Sequence, residues 1–363
     1  MSTSPLLTPP GHRQRRRARA RQRRRNRRAA WAAIVLVVAA GAVAAVGVSG
    51  SHRRSHAAAS KRAPAPAAAR PSAAPASSAI GLPLGTPPLE LKGVGFPQRD
   101  PVRIAFRHPP RAGLLFDLDT GRILWQRNAL RRVRIASLTK MMTALITVKE
   151  APANARVVVT KEAVNSAGSK VGVLPLGKHL RLETMLYGLL LPSGNDAADA
   201  LAHGIAGSTR AFVSRMNAEA ARLGLGCTRY SSPSGFFDEG NFSCAADLAV
   251  LAHVDLEQPR IARIVRTYAV KLPFPIKGGR LYLYNNNPLL IYHYPGLTGL
   301  KTGYTIAAGR CLVATAKRHG VRLGVVLLHS PAPATQARQL LDRGFVGTYH
   351  QLPMADPEIP PQA

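Results

Sequence analysis

Acidic side chains are missing from the first quarter of this chain: residues 1–89 hold 16 Lys and Arg and no Asp or Glu. Across all 363 residues there are 50 basic against 18 acidic side chains, a formal net charge of +32, so half of the excess lies before Glu90. Cysteine is scarce as well. Three cysteines cannot form the framework of a disulfide-stapled mini-protein. There is no Cys-x-x-Cys and no His-Glu-x-x-His, and none of the eleven histidines stands at ligand spacing from a partner. The common metal sites are therefore not expected, and neither is a cofactor. A Gly-x-Ser-x-Gly elbow is lacking too. Gly172–Lys178 has phosphate-loop spacing, but His179 follows where a magnesium-binding hydroxyl belongs, so the segment reads as an ordinary loop. No internal repeat, collagen period or heptad is present. With 46% apolar residues, the chain is globular in composition and long enough for a sizeable core.

What is present at the start has a clear order. Eleven arginines lie between Arg13 and Arg28, and Ala29–Gly50 then runs for 22 residues without a charge. As a helix that run is about 30 Å long, the hydrocarbon thickness of a bilayer. Residues 1–28 are expected to be a basic cytoplasmic tail and 29–50 a transmembrane anchor, oriented by the arginines with everything after residue 51 outside. The alternative is a cleaved secretory signal, whose apolar core is usually only ~7–15 residues. An arginine run also raises nucleic-acid binding, but this one has no aromatic interleaving and abuts the apolar run. It reads as a topology signal in contact with anionic lipid, with no nucleic-acid partner. Residues 51–88, rich in Ala and Pro, read as a linker that cannot bury enough apolar surface to fold. The folded domain is placed at 89–349, with 350–363 a disordered tail.

Inside that domain, Gly113–Gln126 reads as a β-hairpin around Asp119-Thr120-Gly121. Helical patterns follow at Ser137–Glu150, Leu182–Leu190, Asn195–Ile205, from Ser208 to Leu223, and at Ser243–Leu256. Gly309–Lys317 and Val321–His329 are strand-like, and a last helix, Ala334–Arg343, is expected to close at Gly344. Strands at both ends with helices between them predict an α/β (α+β) fold: an antiparallel sheet flanked by helices, with a helical subdomain.

Three short motifs carry chemistry. Ser137-Leu-Thr-Lys140 places a hydroxyl and an amine one helical turn apart on one face. Ser193-Gly194-Asn195 lies in a break between two helices, and Lys301-Thr302-Gly303 opens the C-terminal β segment. Ser-x-x-Lys alone arises often by chance; the three in this order do not. A serine hydroxyl needs an adjacent base, and a lysine serves as one only when neutral. Burial and a second cation, Lys301, both lower its pKa. Asn195 can hold Lys140 and a substrate amide through separate atoms, and Ser193 can pass a proton to the leaving group. The amides of Ser137 and Tyr304 can form an oxyanion hole, and an edge strand with Gly303 can take an extended substrate as an added strand.

These residues, within Ile135–Ala144, Leu189–Ala198, Asn285–Leu290 and Gly299–Thr305, resemble the low-molecular-weight penicillin-binding proteins, the serine D-alanyl-D-alanine carboxypeptidases, over about residues 104–347. The resemblance implies the β-lactamase/transpeptidase-like fold and a substrate peptidoglycan stem peptide ending in D-Ala-D-Ala. It also implies covalent inhibition by β-lactams. By resemblance Ser137 is the nucleophile and Lys140 the general base, with Ser193 and Asn195 as the second catalytic element. Lys301 and Thr302 would hold the terminal carboxylate. Many relatives carry an arginine near the start of the last helix for that carboxylate; Ser330–Thr335 has no basic residue. Cys227 and Cys244 can bridge in an oxidising compartment, whereas Cys311 is expected to be a buried thiol. A D,D-endopeptidase on the same fold, a serine β-lactamase and a non-enzymatic wall-binding module are the alternatives. The β-lactamase lacks its deacylating glutamate here, because Glu219, Glu239 and Glu257 all stand outside the needed Glu-x-x-Leu-Asn context.

Overall fold

The computed structural model describes residues 88–95, 100–236 and 239–353. The expected basic tail, anchor and most of the linker lie outside the described residues, as does the end of the expected C-terminal tail. Among the described residues no helix is long and apolar enough to cross a membrane.

A five-stranded antiparallel sheet in the order β2-β1-β11-β10-β9 organises the domain. Its strands are β1 (Ala112–Asp117), β2 (Ile123–Arg127), β9 (Leu297–Thr305), β10 (Gly309–Arg318) and β11 (Val321–Leu328). All six residues of β1 are buried, as expected for an inner strand covered on both faces. Alternation sends Leu114 and Phe116 into one core and Leu115 into another, on opposite sides of the sheet. The register Leu114↔Val326↔Val313↔Lys301 runs across four strands, and its apolar members all lie in the first core. Lys301 therefore stands at the edge of a row that faces the helical part of the molecule. Its neighbour Thr302, opposite Leu312, belongs to the other face, where Leu312 and Leu327 form the second core.

The helices are α1 (Lys140–Glu150), α2 (Lys161–Asn165), α3 (Leu182–Leu190), α4 (Asn195–Ala206), α5 (Thr209–Arg222), α6 (Ala245–Leu256), α7 (Pro259–Val265), α8 (Pro288–Ile291) and α9 (Pro333–Arg343). Helices α1 and α4 are mostly buried; in α4 the small Ala197, Ala198, Ala200 and Ala202 permit close packing. Ser208 caps α5 as its sequence predicts, its hydroxyl accepting from the Ala211 amide at 3.2 Å. Helix α9 covers the second core with Leu340 and Leu341. The remaining strands form three short pairs: β3 (Val133–Arg134) with β6 (Phe242–Ser243), β4 (Arg156–Val158) with β5 (His179–Arg181), and β7 (Ala269–Pro273) with β8 (Arg280–Tyr284).

Several expectations shift. The last α-helix ends at Arg343 with Gly344 at its C-cap, as expected, but Gly344 keeps a right-handed φ of −62° and the chain goes on as a π-helical turn to Thr348. The helix expected from Ser137 opens as a 3-10 turn, Ala136–Thr139, with α1 starting at Lys140. The helix expected from Ser243 starts at Ala245. The expected tail is still held at Gln351, which donates to the carbonyls of Phe345 (3.1 Å) and Arg318 (3.0 Å). Cys227 and Cys244 are disulfide-bonded and Cys311 is a buried thiol.

Candidate active site

The three motifs converge although they are far apart in sequence. Ser137 sits half-buried in the 3-10 turn and Lys140 is fully buried at the head of α1. The Lys140 ammonium donates to Ser137 Oγ (2.9 Å), Asn195 Oδ1 (2.7 Å) and the Ser234 carbonyl (2.8 Å). Two of these partners are permanent acceptors. When Lys140 is neutral, its two remaining N–H groups satisfy Asn195 and Ser234, and the lone pair is left pointing at the Ser137 hydroxyl. Burial, and then the nearby Lys301 charge, hold the Lys140 pKa well below the ordinary lysine range. The arrangement supplies a neutral amine aimed at a hydroxyl, the requirement for activating serine.

Ser193 and Lys301 form a second couple. Lys301 Nζ donates to Ser193 Oγ and to the Thr302 carbonyl, both at 2.9 Å, and burial lowers its pKa to about 7. Ser193 has a positive φ of 67°, a strained conformation for a non-glycine residue that recurs at functional sites. Two residues on, Asn195 anchors the turn. Asn195 donates from Nδ2 to the Ala167 carbonyl (2.5 Å), and its amide donates to Ser169 O (2.7 Å). One Nδ2 hydrogen remains for a substrate. Asp196 accepts from the amides of Val171 and Gly172, both at 2.9 Å, and so pins the loop opposite the helix start.

The third motif lies on the edge strand β9, against the 3-10 turn. At Gly303 a Cβ would stand 2.9 Å from Ile135 O and 3.2 Å from Ser137 N, so only glycine lets the strand approach Ser137 this closely. The Thr302 hydroxyl donates to Asn286 Oδ1 at 2.8 Å, and Tyr304 is exposed at the rim. A cavity of about 360 Å³ opens here, lined by Ser137, Ser193, Thr302, Gly303 and Tyr304 together with Arg310. Lys140 and Asn195 lie beneath it. A larger hollow of about 520 Å³, lined by Arg111, Arg131, Arg132 and Arg134, contains none of these side chains.

All eight residues expected from the sequence are thus brought to one place. Others were missed. Ser234 contributes only a carbonyl, and Ser232-Pro233-Ser234-Gly235 reads in sequence as a turn and nothing more. Asn286 lies in a run of three asparagines whose outer members fasten the backbone: Asn285 donates to Val265 and Thr267, and Asn287 accepts from the Leu289 amide. Arg310 carried no motif signal.

Comparison with known proteins gives the family and the fold. The family model described as D-alanyl-D-alanine carboxypeptidase matches residues 105–332. The chain is similar to a D-alanyl-D-alanine carboxypeptidase of Bacillus subtilis, 34% identical over 246 residues, covering 66% of this chain and 62% of that protein. It is 36% identical over 245 residues to one of Mycobacterium tuberculosis, covering 65% of this chain and 82% of the relative. Among solved structures, a DD-transpeptidase of Streptomyces superposes with a TM-score of 0.63 at 30% identity, over 67% of this chain and all of that one. The chain spans less than two thirds of the Bacillus relative's length. On the match of residues 105–332 and the shared fold, the chain belongs to the D-alanyl-D-alanine carboxypeptidase family of serine peptidases.

Proposed function

We propose that the protein is a serine-type D-alanyl-D-alanine carboxypeptidase that removes the terminal D-Ala from peptidoglycan stem peptides through a Ser137 acyl-enzyme. The observation that carries this reading is the Lys140 amine, fully buried and fixed by Asn195 and Ser234 so that it faces Ser137. Ser137 Oγ attacks the penultimate carbonyl and its proton passes to Lys140 Nζ. The amides of Ser137 and Tyr304 receive the developing oxyanion. The C–N bond then breaks, and the leaving D-Ala nitrogen takes a proton from Ser193, which Lys301 resupplies at 2.9 Å. Before deacylation Lys140 gives up the proton it took and Lys301 regains one, both through solvent; water then attacks the ester with Lys140 again as base, and that proton passes to the departing Ser137 Oγ. A stem peptide laid along β9 as an added strand reaches Ser137 at its scissile carbonyl.

A β-lactam enters the same acylation step. Among the described residues no glutamate lines the cavity. Glu219 is engaged by Lys149 and Arg222, and Glu257 by Arg322. With Lys140 left to serve both steps and no glutamate set for the water, a difference of about 10²–10⁴-fold, the penicilloyl ester persists for minutes or longer. The test is mass spectrometry of the intact protein after penicillin, with D-Ala release measured in parallel. A stable adduct on Ser137, and loss of both activities in Ser137→Ala, is expected. Labelling that survives at another serine refutes the assignment, and fast turnover of penicillin turns the reading to a β-lactamase.

The proposal extends to location: the domain is held outside the membrane by residues 29–50, and the full chain fractionates with membranes. The uncharged run behind eleven arginines supports this, as does the Cys227–Cys244 disulfide, a bond typical of oxidising compartments. Recovery of a freely secreted protein whose N-terminus maps after residue 45 would restore the cleaved-signal alternative.

A further inference from the structure

Arg310 is the charged side chain lining the cavity beside Ser137, and no acidic residue lines it with it. It lies on β10 opposite Tyr304, one pair of residues from Leu312 opposite Thr302. Two-residue alternation puts Arg310 on the same sheet face as Thr302 and Tyr304, the face covered by α9. Its Nη1 donates to the Pro331 carbonyl at 3.1 Å. The guanidinium thus reaches the stretch 330–335, where the sequence supplies no cation of its own. That bond uses one of five N–H donors. Among the described residues Arg310 enters no ion pair. An arginine on the wall of a catalytic cavity, without an acidic partner, is placed to meet an anion brought by the substrate.

Lys301 does not fill that need. It is fully buried, its hydrogen bonds go to Ser193 and the Thr302 carbonyl, and burial brings its pKa to about 7. At neutral pH it carries only part of a charge. A guanidinium stays charged throughout and offers a fork that matches both oxygens of a carboxylate. We propose that Arg310 is the fixed cation that anchors the substrate's terminal carboxylate beside Thr302, leaving Lys301 to move the proton through Ser193. The proposal rests on the carboxypeptidase reading of the site. It makes Arg310 a specificity residue: it selects substrates that end in a free carboxylate next to the scissile bond.

The experiment compares second-order acylation rates for benzylpenicillin, which carries a carboxylate near its reactive amide, and for its methyl ester. The wild type should favour the acid. In Arg310→Gln the rate with the acid should fall about tenfold or more, as for a lost charge-assisted pair, while the ester rate changes less than twofold. A disturbed fold would lower both rates together, so the acid-to-ester ratio reports the contact alone. If Arg310→Gln does not fold, Arg310→Lys carries the test, because a point charge without the fork should reduce the ratio severalfold. An unchanged ratio in whichever variant folds overturns the proposal. So does a wild type acylated equally by acid and ester, an outcome that leaves the carboxypeptidase reading standing. A wild type acylated by neither defeats that reading itself.

Discussion

At the scale of single residues, the site depends on two lysines made to behave unlike lysines on the surface. Lys140 suits the base role proposed for it because its two fixed acceptors leave one direction for its lone pair, and because burial disfavours its charge. Lys140→Arg keeps a cation that cannot lose its proton at any usable pH. The rate of penicillin labelling should therefore fall by at least about 10²-fold, the usual contribution of a general base. Retention of most of the labelling rate in rapid-mixing measurements would remove Lys140 from that role. Lys301 predicts a stability effect with a definite sign. Its pKa is about 7 in the fold against 10.5 ordinarily. Below about 7 both folded and unfolded chains hold the proton, and the fold bears the whole penalty of burying the charge. Between about 7 and 10.5 only the unfolded chain holds it, so stability rises with pH, by up to ~1.4 kcal/mol per unit. Lys301→Met removes that titration. Urea midpoints should show the variant more stable than wild type at pH 6, with the difference shrinking toward pH 9. A gap that is constant with pH would mean that Lys301 is not strained by its burial.

At the scale of elements, the site is a junction of turns. The 3-10 turn that carries Ser137 is wedged between the β9 edge and the loop 231–236, and Gly235 makes the second contact possible. With φ at +71°, its missing Cβ would stand 2.0 Å from the Ala136 carbonyl. Gly235→Ala should therefore move the loop and draw the Ser234 carbonyl off Lys140. A loss of roughly 2 kcal/mol or more in unfolding free energy is expected, along with slower acylation. Normal stability and normal acylation together would show that the loop has slack. The sequence revealed the helical part of this junction and not its loops, for a physical reason. Ser137 and Lys140 are one turn apart, so their meeting is local, and Ser193 and Asn195 flank a visible helix break. Ser234 meets Lys140 across 94 residues through a backbone atom that every residue type possesses. Arg310 was silent for the same reason: the role proposed for it comes from the pairing of β10 with β9, which no local pattern encodes. The β7–β8 hairpin was missed because Pro273 and Pro275 interrupt the run and the outer residues of both strands are exposed. Gly344 marked the end of α9 but not the π-turn after it, since glycine permits a left-handed stop but does not impose one.

At the scale of the molecule, the sheet divides two cores, and the catalytic cavity opens where its edge meets the helical part. Its boundaries can be read from what the ends bury. Leu89 belongs to the core on the helical side of the sheet. Glu90 O lies against Gly121, where a Cβ would stand 1.9 Å away, and Lys92 N donates to Gly121 O at 3.1 Å. The first described segment is therefore part of the hairpin's packing and cannot be treated as linker. At the other end the Tyr349 hydroxyl donates to Asp117, on the inner strand β1, and Gln351 bonds to Arg318. Among the described residues, both ends of 88–353 are thus tied to the sheet that carries the cavity. That segment, expressed alone, should fold, melt within a few degrees of the full chain and be acylated by penicillin at the same rate. Starting at residue 100 instead deletes Leu89 and the pairing with Gly121. Loss of the buried leucine alone is worth about 2–5 kcal/mol, so this shorter chain should melt well below the longer one. Thermal unfolding of the two segments, with penicillin labelling as the functional readout, decides the matter. Failure of 88–353 to fold would mean that residues before Pro88 belong to the domain, and equal melting of both segments would mean that Leu89 contributes nothing to the core it occupies.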